Sequence, residues 1–256
     1  MKHILVTGAA GAIGGAIAAA FRKQDPGARF SLVDVNDEAT AREARRVGGD
    51  AAPYNWDLSK VDALPALYAA LEDERGPVDV LVNCAGIMEV RSLVATPWEL
   101  GAKLMRIDLE SPLRLMSLAA PGMVRRGHGT IVNVTSMAGV TPLRGCTFYG
   151  AAKAGLAMAS EIARLELGPS GVHVLTVYPG PVRSGLEERA RGQLPPTLIS
   201  RMLPTGAPEP LAARVVEACA ERRARVVYPP LYDLAARFPT VASKVTMTFS
   251  PRPRDV

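Results

Sequence analysis

At 256 residues, 48% hydrophobic and 21% charged, the chain has ordinary globular composition and room for one large α/β domain. This excludes a disordered or fibrous protein and leaves no space for a second full-sized catalytic domain. The formal charge of +5 comes from arginines interleaved with acids, as in Glu187 to Arg191 and Glu217 to Arg225, a pattern of solvated helix faces rather than of a nucleic-acid partner; three cysteines without a CxxC pair and three histidines without HxH or HxxxH spacing fit neither a disulfide framework nor a metal site, and suit a reducing cytoplasm.

Short β-rich runs alternate with longer helical patterns, which is the signature of strand–helix–strand units around a parallel sheet covered on both faces. Seven strands are predicted, over residues 2–7, 29–34, 51–56, 78–82, 130–135, 172–177 and 225–228. The uncharged run from Ile4 to Phe21 resembles a signal peptide or a membrane span only superficially. Gly8, Gly11, Gly14 and Gly15 interrupt it and most of the rest is alanine, so transfer to lipid gains little and no integral membrane span is expected.

Between the first strand and a helix predicted over 12–24, which Asp25-Pro26-Gly27 ends, lies Thr7-Gly8-Ala9-Ala10-Gly11-Ala12-Ile13-Gly14. Small residues in such a turn let backbone N–H groups at a helix N-terminus approach a pyrophosphate. The second strand ends at Asp34, 20 residues beyond Gly14, where an acid meets the adenosine ribose. A carboxylate there accepts hydrogen bonds from the ribose hydroxyls and repels a 2′-phosphate. No Lys or Arg lies in the turn, so NAD is the expected cofactor.

Farther along, Thr96 offers an N-cap and Pro97 a first turn for a long helix. No repeat, low-complexity tract or linker interrupts the alternation before about residue 180, so one domain over 1–256 is expected. Residues 185–208 then carry Pro195, Pro196, Pro204 and Pro208 among Leu186, Leu194, Leu198, Ile199, Met202 and Leu203, and read as a partly helical lid insertion. The stretch 229–256 is proline-punctuated and ends in a basic tail with Arg252 and Arg254 that is expected to be loosely ordered.

Chemistry-bearing residues fall into this frame in order. Asn83-Cys84-Ala85-Gly86 closes the fourth strand, Ser136 follows the fifth, and Tyr149-Gly150-Ala151-Ala152-Lys153 opens the next helix. Tyr149 and Lys153, four apart, share one helix face, and an ammonium beside a phenol favours the phenolate, which lowers the tyrosine toward a pH where it exchanges protons. The hydroxyl of Ser136, 13 residues before Tyr149, can hold a substrate oxygen against it.

With the Gly-rich turn and Pro179-Gly180-Pro181-Val182-Arg183-Ser184, this set resembles the short-chain dehydrogenases/reductases of about 250 residues, over residue 2 to about 184. The resemblance implies a single-domain Rossmann-like α/β fold, a doubly wound parallel sheet of about seven strands. It implies that Tyr149 is the general acid/base, Ser136 the partner of the substrate oxygen, and Lys153 both an aid to the tyrosine and a ligand of the nicotinamide ribose. Cofactor contacts follow from Gly8, Gly11, Ile13, Gly14, Asp34, Asp57, Leu58, Asn83, Ala85, Gly86, Pro179, Gly180 and Val182, with Asp57 on the adenine amino group. Asp108 stands where the family usually has an asparagine whose site holds a water of a proton relay; its backbone carbonyl could keep that water, or its charge could alter the pH profile. Cys84 replaces the second asparagine of an NNAG segment.

The expected activity is hydride transfer between NAD and a secondary alcohol or ketone. A steroid-, retinoid- or acyl-like substrate is expected from the apolar lid and from Met88, Met137 and Leu143 near the pocket mouth. A non-catalytic NAD(H)-binding sensor on the same fold is the alternative, though a sensor would typically have lost its tyrosine or lysine. The resemblance further implies a homodimer or homotetramer built from helices at about 97–124 and 149–168.

Overall fold

The computed structural model describes residues 1–193, 204–251 and 253. Seven strands form one sheet, β1 (His3–Thr7), β2 (Arg29–Asp34), β3 (Ala51–Asn55), β4 (Val80–Asn83), β5 (Gly129–Val134), β6 (Val172–Pro179) and β7 (Arg225–Tyr228). Every neighbouring pair is parallel and the order is β3-β2-β1-β4-β5-β6-β7, so the direction in which the chain adds strands reverses between β1 and β4. This is the doubly wound Rossmann-like fold, and its strands lie within two residues of the predicted boundaries.

Successive strand residues point to opposite faces, and both faces are apolar because both are covered. Ile4, Val6, Phe30, Leu32, Val80, Val82, Val132 and Val134 face one core, which α1 (Ala12–Gln24), α2 (Asp37–Val47) and α8 (Pro208–Ala220) complete through Ile17, Phe21, Val47, Leu211 and Val215. Leu5, Val33, Leu81, Ile131 and Val174 face the other, closed by α3 (Leu64–Arg75), α5 (Ser111–Arg126) and α6 (Thr147–Leu167) through Leu71, Leu115, Met123 and Leu156. Pro53 is tolerated because β3 is an edge strand, where a missing N–H breaks no inner ladder.

The long helix expected from residue 97 is built differently. It runs as α4 (Trp98–Met105), a π-helical turn over Arg106–Glu110, then α5. Thr96 does not cap it: the N-cap position is Pro97, and the Thr96 hydroxyl donates to the Ser92 carbonyl at 2.8 Å, satisfied by the preceding 3-10 turn instead.

Of the expected insertion, Gly185–Gly192 is helix α7 and Pro208 opens α8, while Pro195, Pro196, Leu194, Leu198, Ile199, Met202 and Leu203 lie outside the described residues. Beyond β7 come two helices, α9 (Tyr232–Arg237) and α10 (Pro239–Phe249); Arg252 and Arg254 lie outside the described residues. Among the described residues no helix is long and apolar enough to cross a membrane. In the two charged stretches Arg191 meets Glu187, and Arg223 meets Glu217 and Glu221.

Candidate active site

The Gly-rich turn, residues 83–86, Ser136 and residues 179–184 lie at the carboxyl ends of strands, where an open parallel sheet leaves its crevice, and Tyr149 and Lys153 lie on the helix that follows β5. In the turn after β1, Gly8 takes φ +66°, and a Cβ there would stand 2.7 Å from the Ala85 backbone. Thr7 ties this turn to the one after β4. Its Oγ1 accepts the N–H groups of Cys84 and Ala85 at 3.1 and 3.2 Å. The sequence quoted Thr7 without giving it a role; a buried threonine directly before the first glycine is the signal that could have done so.

Gly11, Ile13 and Gly14 sit at the start of α1, whose N-cap, Gly11, offers no side-chain hydrogen bond to the helix. Small residues around helix N–H groups without a side-chain cap fit a pyrophosphate. Asp34, half-buried beside the turn, accepts the Ala10 N–H at 3.1 Å on Oδ2 and the Asn36 N–H at 3.2 Å on Oδ1. These bonds hold its carboxylate beside the Gly-rich turn. Asp57 follows β3 and accepts the Ser59 hydroxyl at 2.7 Å and its N–H at 3.0 Å, bonds that hold its carboxyl below the usual range.

Two of the expected cofactor contacts have side chains directed elsewhere. The Leu58 side chain is buried in the core beneath α3. Asn83 points into the interior, donating to Asn133 Oδ1 at 2.8 Å in a chain that continues from Asn133 to Ser160. Both keep only a main-chain route to a cofactor. After β6, Gly180 lies flat against Tyr232, whose ring would stand 2.9 Å from an added Cβ, and Val182 bridges to Gly206. Ala85, Gly86 and Pro179 border the same crevice at the ends of β4 and β6.

Ser136, Tyr149 and Lys153 come together as the spacing predicted. The 3-10 turn Met137–Gly139 that follows Ser136 nests on α6, and Gly139 permits it because a Cβ there would stand 2.7 Å from the Lys153 carbonyl carbon. Ser136 accepts the Ala138 N–H at 3.1 Å and lies within hydrogen-bonding reach of the Tyr149 phenol. The Lys153 Nζ stands 5.8 Å from the Tyr149 ring centre and donates to the Val134 carbonyl at 3.3 Å.

Asp108 is the largest surprise in the site. It projects from the π-helical turn with no exposure, its Oδ1 is 3.0 Å from Lys153 Nζ, and its Oδ2 accepts the Ile87 N–H at 3.3 Å. Gly86 makes room, since a Cβ there would come within 2.5 Å of the same Oδ1. Burial pushes the Asp108 carboxyl up while Lys153 pulls it back; burial also opposes the charge on Lys153, which Asp108 and Tyr149 nevertheless hold above the usual lysine range.

The expected lowering of Tyr149 is corrected by these surroundings. Burial raises the phenol above its ordinary value; Lys153 and Ser136 lower it, and Asp108 raises it further. The lysine acts in the expected direction and is outweighed. Cys84 and Cys146, pushed by burial to about 12, remain thiols and add no charge.

Helix α7 covers the group. Its Ala190 packs with Tyr149, Cys146, Ala138 and Val90, and Met88 leans on the same cluster. Gln193, next after α7, accepts the Val90 N–H at 2.9 Å and donates to Glu89 at 2.7 Å. These two bonds fasten α7 to the loop after β4, a long-range contact that no local pattern announces.

The short chain dehydrogenase family profile matches residues 2–194. D-threitol dehydrogenase of Mycolicibacterium smegmatis is 31% identical over 224 residues, covering 84% of each chain. D-xylose 1-dehydrogenase of Caulobacter vibrioides is 32% identical over 191 residues, covering 73% of this chain and 75% of that one. A solved short-chain dehydrogenase from Sphingobium yanoikuyae in complex with NADPH is similar with a TM-score of 0.81 at 25% identity, over 97% of this chain and 95% of that one. With its motifs in order on a doubly wound sheet and these likenesses beside them, the chain belongs to the short-chain dehydrogenase family and is an oxidoreductase that uses a nicotinamide cofactor.

Proposed function

We propose that the chain moves a hydride between NAD and the carbinol carbon of a secondary alcohol, or the ketone carbon in reverse. The observation that carries this reading is the meeting of Ser136, Tyr149 and Lys153 after β5, on the same carboxyl side of the sheet as the Gly-rich turn after β1. When bound, the nicotinamide supplies the hydride acceptor. Ser136 holds the substrate oxygen, Tyr149 takes its proton on oxidation and returns one on reduction, and Lys153 orients the ribose. Gly8, Gly11, Ile13 and Gly14 hold the pyrophosphate, Asp34 the adenosine ribose, and Asp57 and the Leu58 main chain the adenine. The main chain of Asn83 with Ala85, Gly86, Pro179, Gly180 and Val182 frames the nicotinamide side.

The choice of NAD rests on Asp34. Asp34→Ala should weaken NAD by about 10- to 100-fold, the effect of losing roughly 1.5–3 kcal/mol of hydrogen bonding to a charged group. The same change should improve the use of NADP. The ratio of kcat/KM for the two cofactors measures both, and a native chain that already prefers NADP sinks the assignment.

Residues 185–208 act in this reading as the substrate lid and 229–256 as an extension of the pocket wall. Met88, Val90 and Ala190 pack in the cluster around Tyr149, and Pro142, Leu143 and Met247 line an open depression on the loop that leads into α6. These linings support a lipophilic alcohol or ketone. A polyol or sugar is the second reading, favoured by the names of two relatives. An NAD-reduction screen over polyols, steroids and long-chain alcohols decides between them, and no turnover with any class argues against the activity.

We place the protein in the cytoplasm, in keeping with three free cysteines, and as a homodimer or homotetramer. Met158, Ile162 and Leu165 stand exposed along one face of α6, which suits a subunit contact. Sedimentation velocity checks this, and a monomer at micromolar concentration refutes it.

A further inference from the structure

The buried ion pair between Asp108 and Lys153 reaches beyond that reading, on which it rests. We propose that Asp108 is a positioning residue whose carboxylate anchors the Lys153 ammonium and cancels part of its field at Tyr149, so setting the pH range in which the tyrosine accepts a substrate proton.

The geometry is closed on all sides. Asp108 and Lys153 are both buried, 3.0 Å apart, and the Ile87 N–H donates to the other carboxylate oxygen, as suits an ionised group. Lys153 also donates to the Val134 carbonyl and stands 5.8 Å from the centre of the Tyr149 ring. The groups that face the phenol can be named element by element. Lys153 comes from α6, Asp108 from the π-helical turn, Ser136 from the loop after β5 and Cys146 from the residue before α6, while α7 presents only Ala190. Cys84, after β4, faces Lys153, and Asp34 reaches only as far as Cys84. With both thiols protonated and the serine neutral, two charges of opposite sign decide the field at the phenol among the described residues, and Asp108 is one of them. An asparagine of the same shape would leave the ammonium uncompensated and the phenolate favoured.

Asp108→Asn should therefore move the acid limb of the pH profile of kcat/KM for alcohol oxidation down by about one unit. Asp108→Glu, which keeps the charge, should leave the limb in place. A second measurement needs no turnover: the ultraviolet absorbance of tyrosinate, taken as the difference between a protein and its Tyr149→Phe counterpart, isolates this phenol from the other five tyrosines. In the native chain that difference should titrate above free tyrosine, and in Asp108→Asn at lower pH than in the native chain. A folded Asp108→Asn protein with an unmoved limb and an unmoved absorbance midpoint overturns the proposal. A native midpoint below free tyrosine overturns it even where the asparagine variant does not fold. Turnover that survives Tyr149→Phe sinks the acid/base role of the tyrosine in the proposed function instead, and the absorbance titration then judges Asp108 alone.

Discussion

Tyr149→Phe should cut alcohol oxidation by about a thousandfold, within the span of 10²- to 10⁴-fold that a positioned acid or base contributes. NAD affinity should change little. The ring is buried against Val90, Ala138, Cys146 and Ala190, and phenylalanine keeps those contacts while losing the one oxygen that Ser136 and the substrate would share. The loss should appear in kcat, with the KM for NAD nearly constant, because an interaction made only in the transition state has been removed. The same variant separates an enzyme from a cofactor-binding sensor. A sensor would keep both NAD binding and its biological effect, so turnover in the variant within a few-fold of the native rate refutes the role of the tyrosine.

Lys153→Met should lower both turnover and stability, and by different routes. Taking away the ammonium leaves Asp108 a carboxylate with no counter-charge and no exposure, and breaking such a pair costs about 3–5 kcal/mol. For a chain of this size that corresponds to a fall in Tm of about 10 °C. The double variant Lys153→Met/Asp108→Asn removes the stranded charge and should recover most of the stability while turnover stays low. Thermal unfolding and steady-state kinetics on the three proteins test the two routes separately. A single variant that melts within 2 °C of the native chain shows that the pair does not stand buried and unshielded in solution.

The sheet was legible in the sequence because strands covered on both faces are apolar runs set between helical patterns, and that signal is local. The site was legible to the same extent: Ser136, Tyr149, Lys153, Asp34 and the Gly-rich turn each occupy a strand end or the first turns of a helix, so knowing the elements places the residues. What escaped depends on partners distant in the chain. Asn83 carries the same side chain whether it faces a cofactor or Asn133, and 50 residues separate that pair. The ion pair of Asp108 joins residues 45 apart through a π-helical turn, and hydrophobic spacing cannot tell that turn from an ordinary one. Thr96 was read as a cap from its position alone, although its hydroxyl had a nearer acceptor in Ser92. The upward displacement of Tyr149 is a matter of how much water the fold excludes, which spacing does not encode.

The clasp formed by Gln193 has a consequence for timing. Tyr149 is only 7% exposed, with Ala190 packed against it. Among the described residues, any movement that lifted α7 off the phenol would have to separate Gln193 from Glu89 and Val90. Should substrate enter beneath α7, each cycle would include an opening and a reclosing remote from the reacting atoms, and once the chemical step is faster than this movement, the movement would set the pace.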